Sequence, residues 1–583
     1  MAMPLLVESL PEFLRSSITM KPAKKTRLLL LVTLLSSLAW GQASKLAPDV
    51  KADDSTELVN VIVQFNQAPG DRQKDKIRAK GGSVDADLSL VKAVSGKLPA
   101  NRVRELANDP NVAYISPDRP LKAFLDNTAG AVNAQVAWNS GLDGSGIGVA
   151  VIDSGIDNLP DLGGGKFGGS RIVHSQDLAD NTNQTSDLFG HGTHVAGIIA
   201  GNGSLSTGSH YSRTFKGMAP GARLINLRVL DQNGSSSDSI VIAAIQQAIL
   251  LKWRYNIRVI NLSLGRPVFE SYTQDPLCQA VEAAWQAGIV VVVAAGNNGR
   301  DNYANTGGYF SINAPGNDPY VITVGAMKSM GTPTRTDDLI ASYSSKGPTA
   351  FDYIVKPDLV APGNLVVSLL GQGTLSTDYP SNAVPLSYYM NTGNGSGNKL
   401  SSDYFVLSGT SMSAAVVSGA VADLLEAQPR LTPDQVKARL MLTAYKTFPP
   451  YSSATDPTTG VTYTSQYDVF TVGAGYLDIQ AALASSAVSS GNAKSPTAQY
   501  DTASGNVYFV QDPSAVWNSS AVWGSSAVWG SNEFVGPQSA VWGSSAVWGS
   551  STVWGGSTVW GSSAVWGSSS NTQAESVAIN GEN

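Results

Sequence analysis

The 583-residue chain contains a single cysteine, Cys278, so no intrachain disulfide can form in any compartment. Cys278 lies in the helix-like stretch LCQAVEAAWQAG with no basic side chain beside it, which argues for a small core residue rather than a thiol nucleophile. Histidine is almost as scarce: His174, His191, His194 and His210 are the four present, so a site that needs an imidazole has few candidates. Lysine and arginine total 39 against 45 acidic residues, for a net charge of −6, with no long basic run beyond the N-terminal region; nucleic acid is therefore not an expected partner. The longest early apolar run, Leu28 to Trp40, falls short of the roughly 20 residues that a membrane-spanning helix needs.

That run has another reading. If translation starts at Met20, then Lys21, Lys24, Lys25 and Arg27 precede it and Gly41-Gln42-Ala43 follow, the pattern of an export signal cleaved after Ala43. Residues 20–43 are thus expected to be a signal peptide, residues 1–19 (with Glu8 and Glu12) a misassigned start, and the protein secreted or extracytoplasmic.

With 42% hydrophobic residues the chain can build at least one large core. Residues 58–66 (LVNVIVQFN) read as a strand, RQKDKIRAKGG as a helix with a glycine stop, LSLVKAVSGKLP as one or two strands, and RVRELANDPNVAYISPD as a helix and a strand. This order suggests a small α+β unit of the split βαβ, ferredoxin-like type. From about residue 135 to 485, runs such as GIGVAVID, ARLINLRVL, IRVINLSLG, GIVVVVAAG and YVITVGA alternate with helical segments. Runs that are apolar at every position are buried on both faces, so the expected class is α/β, a mainly parallel sheet flanked by helices. In such sheets, sites form beyond the carboxyl ends of strands.

Those ends carry reactive residue types. GIGVAVID ends on Asp153; GHGTHVAGIIAG sets His191 between two glycines at a helix start; VVVVAAGNNG ends a buried strand on Asn297; and LSGTSMSAA places Ser411 immediately before an apolar helix. Taken singly, each has a plainer reading: a cap, a structural histidine, a turn, close helix packing. Taken together they match one requirement. A serine hydroxyl is too weak an acid to attack a peptide carbonyl unaided; it needs a base, the base needs a carboxylate to hold its tautomer, and the oxyanion needs donors.

With AVIDSGID, HGTHVAG, AAGNNG and SGTSMSAA in that order, the chain resembles the subtilisin-like serine peptidases over roughly residues 48–485. The resemblance implies Asp153 as orienter, His191 as general base and then acid, Ser411 as nucleophile, and Asn297 with the Ser411 N–H as oxyanion hole. It further implies that Gly234-Ser235-Ser236 and Ser263-Leu264-Gly265 are two edges between which a substrate adds as a strand. Ala295 and Gly296, within Ala294 to Asn298, would line the first pocket. The small N-terminal unit resembles an inhibitory propeptide, so residues 44–124 would act as an intramolecular inhibitor until autoprocessing near Phe124-Leu125 leaves a peptidase domain at 125–485. Where the family commonly has proline and His-Val after the nucleophile, this chain has Ala415 and Val416-Val417, and the loop after HGTHVAG lacks the Asn-rich segment of a calcium loop. No metal site is carried over and no cofactor is expected. His194, one turn after His191, is read as packing.

After residue 486 the composition changes. A linker (486–512) is expected to lead into an SSAVWG repeat (513–570) and a polar tail (571–583). The six-residue period places every Trp of an extended strand on one face, and disfavours helix. A flexible extended tail, a stacked β-repeat and a module contacting wall material or another polymer all fit. The leading expectation is a monomeric secreted serine endopeptidase acting on polypeptides. The alternative is an inactive binding protein of the same fold that uses its tryptophan repeat.

Overall fold

The computed structural model describes residues 45–47, 50–88, 92–117, 125–164, 169–180, 182–301, 306–391, 399–456, 459–488, 490–501, 506–510, 534–535 and 581–582. The expected signal peptide, the Phe124 junction and all of the SSAVWG repeat except 534–535 lie outside them. The chain divides into two compact units between Leu121 and Lys122.

The first unit runs β1 (Leu58–Phe65), α1 (Asp71–Ala79), β2 (Ser83–Leu88), β3 (Ala93–Pro99), α2 (Ala100–Ala107) and β4 (Val112–Pro117). Its antiparallel sheet has the order β2-β3-β1-β4. Val61, Val63 and Phe65 alternate onto the inner face of β1 and meet Ile77 of α1 and Val103 and Leu106 of α2. This is the split βαβ arrangement that the order of local signals suggested.

In the second unit, β5 (Gly148–Asp153), β6 (Ile172–Asp177), α3 (His191–Ala200), β7 (Arg223–Arg228), α4 (Asp238–Tyr255), β8 (Ile257–Leu262), α5 (Pro276–Gln286), β9 (Val290–Ala294), β10 (Ile322–Lys328), β11 (Leu339–Ile340) and β12 (Leu359–Pro362) precede α6 (Thr410–Ala427) and α7 (Pro433–Thr443). The sheet order is β11-β10-β9-β8-β5-β7-β6, with β12 also paired to β10. All of these pairings are parallel except β10 with β11. The five largely apolar runs form β5, β7, β8, β9 and β10, mostly buried because helices cover the sheet. Residues Thr410 to Leu425 of α6 are buried throughout. Its small side chains explain this: a Cβ added at Gly419 would lie 2.5 Å from the Met218 side chain.

Two segments differ from expectation. Within the supposed linker 486–512, Thr497–Asp501 and Asn506–Val510 form an antiparallel hairpin, and Phe534–Val535 pairs with its second strand. Ala498, Val507 and Phe509 are buried in the main core, with the Phe509 ring 6.1 Å from that of Phe470, so this segment belongs to the folded body. Within the supposed polar tail 571–583, Glu582 is buried. Among the described residues, no helix is long and apolar enough to cross a membrane, and no group of three or more His, Cys, Asp or Glu is arranged to hold a metal ion.

Candidate active site

Register aligns the carboxyl ends of the central strands. Asp153, the last residue of β5, pairs with Arg228 at the end of β7, and Val151 pairs with Asn261 near the end of β8. Just beyond β8 lies Ser263, and just beyond β9 lie Ala295 to Asn297. The helices α3 and α6 begin with His191 and with Thr410-Ser411. The fold therefore brings Asp153, His191, Asn297 and Ser411 from four separate elements to one region of the sheet edge.

His191 Nδ1 lies 2.7 Å from Asp153 Oδ1, with both side chains almost fully buried. A carboxylate can only accept here, so Nδ1 carries the hydrogen and Nε2, on the opposite edge of the ring, is the basic nitrogen. Asp153 Oδ1 also accepts the Ser154 N–H at 2.8 Å, which holds the carboxylate in place. The glycine after His191 has a local reason: a Cβ at Gly192 would sit 2.2 Å from Gly155 O and 3.2 Å from Asp153 Cβ, so only glycine lets α3 approach the end of β5 this closely.

Ser411 Oγ donates to Ser263 O at 3.1 Å, and Ser263 Oγ donates to Ser411 O at 2.8 Å. Its neighbours have structural partners deeper in the fold: Ser413 Oγ donates to Ala361 O and Ser418 Oγ to Asn261 Oδ1. Ser411 instead occupies the first turn of α6, where backbone N–H groups point out of the helix start. Asn297 Oδ1 accepts both Thr410 N–H at 2.9 Å and Thr410 Oγ1–H at 3.1 Å. Because the Thr410 N–H can only donate, the amide oxygen of Asn297 is turned to α6 and its Nδ2 is the group presented elsewhere. Thr410 Oγ1 in turn accepts the Gly296 N–H at 3.1 Å.

The expected substrate-contact residues occupy the loops after β7 and β8, on either side of β5. Gly234 closes a turn through its N–H to Asp231 O at 3.1 Å, and Ser235 N–H donates to Asp231 Oδ1 at 2.9 Å. Ser236 follows that turn, while Ser263 and Leu264 are buried and Gly265 is half-buried. Ala295 and Gly296 carry the β9 end onward, their carbonyls accepting Asn313 N–H and Ser345 N–H, each at 3.0 Å.

Three positioning residues escaped the sequence reading. Asp187, fully buried, accepts Ser154 Oγ–H at 2.7 Å, Gly190 N–H at 2.6 Å and Thr193 N–H at 2.7 Å, while Ser154 Oγ accepts Gly192 N–H at 2.9 Å. Asp187 and Ser154 thus fasten the start of α3 to the end of β5, and Thr410 fastens α6 to Asn297. An aspartate four residues before a helix-starting histidine was the available signal for Asp187. Cys278 is buried, donates to Asn317 Oδ1 at 3.3 Å, and has its thiol pushed far up by burial, so it is a core residue.

His194 is also packed away. Its Nε2 lies 3.1 Å from Val366 O and from Phe405 O, both acceptors, and burial together with nearby His191 pulls its pKa down to about 3. The unfolded chain takes up this proton near the ordinary imidazole value of about 6.5, the folded chain only near 3. Its contribution is therefore complete above about pH 6.5 and is lost as pH falls towards 3, at about 1.4 kcal/mol per unit. The unfolding free energy of His194→Gln should show a correspondingly shallower pH slope between about pH 6.5 and 4 than that of the parent. Equal slopes would contradict this.

A parallel sheet that gathers a buried Asp–His pair, a helix-starting serine and an oriented amide has the make-up of a serine peptidase. The Subtilase family model matches residues 144–475. Serine protease AprX from Bacillus subtilis is 33% identical over 399 residues, covering 66% of this chain and 82% of that protein. Subtilisin E from the same organism is 32% identical over 422 residues, covering 72% and 92%. A subtilisin from Bacillus pumilus is 35% identical over 315 residues, covering 54% and 89%. The chain belongs to the subtilase family, and is a serine-type endopeptidase.

Proposed function

We propose that Asp153, His191 and Ser411 hydrolyse peptide bonds through an acyl-enzyme. Ser411 Oγ attacks the substrate carbonyl carbon as its proton passes to His191 Nε2, and the carbonyl π electrons move to oxygen. Asn297 Nδ2 and the Ser411 N–H donate to that oxyanion. His191 then gives its proton to the leaving amine, the C–N bond breaks, and water repeats the sequence to release the acid and restore Ser411. Asp153 holds the imidazole tautomer throughout. The observation that carries this reading is the 2.7 Å contact between His191 Nδ1 and Asp153 Oδ1, which assigns the basic nitrogen to the other edge of the ring.

The substrate lies between Gly234–Ser236 and Ser263–Gly265 as an added strand, with Ala295 and Gly296 lining the pocket for the side chain before the cut. The protein is exported, and residues 44–124 are its intramolecular inhibitor, removed by its own activity near Phe124-Leu125. Phe124 before the cut, and Leu121 three residues upstream of it, make bulky apolar side chains the preferred ones at both positions.

A fluorophosphonate probe should label the parent covalently and leave Ser411→Ala unlabelled; labelling that persists in the variant would overturn the nucleophile. N-terminal sequencing of secreted protein should find a start at Leu125 or one or two residues beyond. A start beyond Ala134 would rule out that junction.

A further inference from the structure

Gly581 and Glu582 lie within the peptidase unit, although the tryptophan repeat separates them in sequence from the hairpin at 497–510. They are held by a built site. Glu582 Oε2 lies 2.7 Å from Arg300 Nη2 and also accepts from Ser342 Oγ; Oε1 accepts Ser342 N–H at 2.8 Å and lies 3.4 Å from Lys328 Nζ. Its main chain is read as well. Asn364 Nδ2 donates to Glu582 O at 2.7 Å, and Glu582 N–H donates to Asn364 Oδ1 at 2.9 Å.

The preceding residue is constrained by shape. Gly581 has φ of +73°, and a Cβ there would fall 2.5 Å from Leu365 Cδ2 and 2.6 Å from Ser408 Oγ. The pocket thus distinguishes glycine by lack of room, the next peptide unit by a paired amide, and glutamate by two cations and a backbone N–H. Arg300 is 10% and Lys328 5% exposed at the side chain. Arg300 also pairs with Asp456 at 2.8 Å, and Glu582 brings the second negative charge to this buried group. Surface chance contacts do not desolvate two cations and an acid together, because each ion taken out of water without compensation is costly.

We propose that Arg300, Lys328, Ser342 and Asn364 form a receptor for a Gly-Glu peptide segment, occupied by this chain's own Gly581–Glu582, which latches the far flank of the tryptophan repeat onto the peptidase unit. The near flank is held by the packed hairpin. The hairpin at 497–510 and Gly581–Glu582, which flank the repeat in sequence, are thus both fixed to one body.

The test uses the full chain. Glu582→Ala should lower the thermal midpoint by about 5 °C or more, since it leaves the buried cations without this partner. Glu582→Gln, which keeps shape and part of the hydrogen bonding, should fall between. A synthetic peptide with the sequence of residues 576–583, SVAINGEN, should bind the Glu582→Ala chain and recover its lost midpoint, yet show no binding to the parent, whose pocket is filled. The same peptide with Gln in place of Glu should bind at least about 10-fold more weakly. Calorimetry on phosphonate-blocked protein prevents cleavage of the peptide. Should Glu582→Ala fail to fold, Glu582→Gln carries the same measurements. An unchanged midpoint, failure of the peptide to bind the variant, or equal binding of the Glu and Gln peptides would overturn the receptor. None of these readouts depends on which residues perform catalysis.

Discussion

Ser411→Ala is expected to lower kcat for a peptide substrate by about 10⁶-fold, the scale that loss of the nucleophile costs subtilisins. Alanine cannot form the ester, and a neighbouring serine cannot substitute. Ser413 Oγ and Ser418 Oγ are committed to Ala361 O and Asn261 Oδ1, deeper along the same helix. Stability should hardly change, since removing one oxygen leaves α6 with the small-residue contacts that seat it against the sheet. The purified variant should therefore combine a parent-like unfolding midpoint with negligible turnover, and should accumulate as the uncut precursor. Turnover within about 100-fold of the parent would exclude Ser411 as nucleophile.

Asn297→Ala is expected to lower kcat by about 100- to 1000-fold, the range found for the corresponding donor in subtilisins, with KM changed by less than about threefold. The asymmetry follows from geometry. Thr410 holds the amide oxygen at 2.9 and 3.1 Å, so Nδ2 is aimed before substrate arrives and binds charge that exists only in the transition state. Asn297→Asp should be at least as severe, because it places a carboxylate where negative charge develops. Steady-state kinetics with one peptide decides the matter: a KM that rises while kcat is kept would make Asn297 a ground-state contact.

Legibility in the sequence tracked how locally each feature is encoded. The five runs that form β5, β7, β8, β9 and β10 are readable because burial on both faces leaves a largely apolar signature, interrupted in β7 and β8 by Arg and Asn. The edge strand β2, SVDADL, had none, since most of its residues are exposed. The hairpin at 497–510 reads in sequence as linker because its runs, TAQYD and NVYFV, are short and border a Gly/Ser-rich repeat. The four reactive residue types were readable only as a set, in order, with their flanking glycines. Asp187, Ser154 and Thr410 were missed because nothing in a lone aspartate, serine or threonine reveals which N–H groups will point at it.

By itself, the sequence determined the α/β class, the split βαβ unit ahead of it, the exclusion of an intrachain disulfide and the candidacy of Asp153, His191, Asn297 and Ser411. These follow from composition, from periodicity and from motifs whose residues lie within a few positions of one another. Only the tertiary structure decided which imidazole nitrogen faces the carboxylate, which end of the Asn297 amide is presented, and that Glu582 meets Ser342 across a separation of 240 residues. The physical reason is that hydrogen-bond direction and charge burial belong to the partner as much as to the residue, and the partner is chosen when the chain packs.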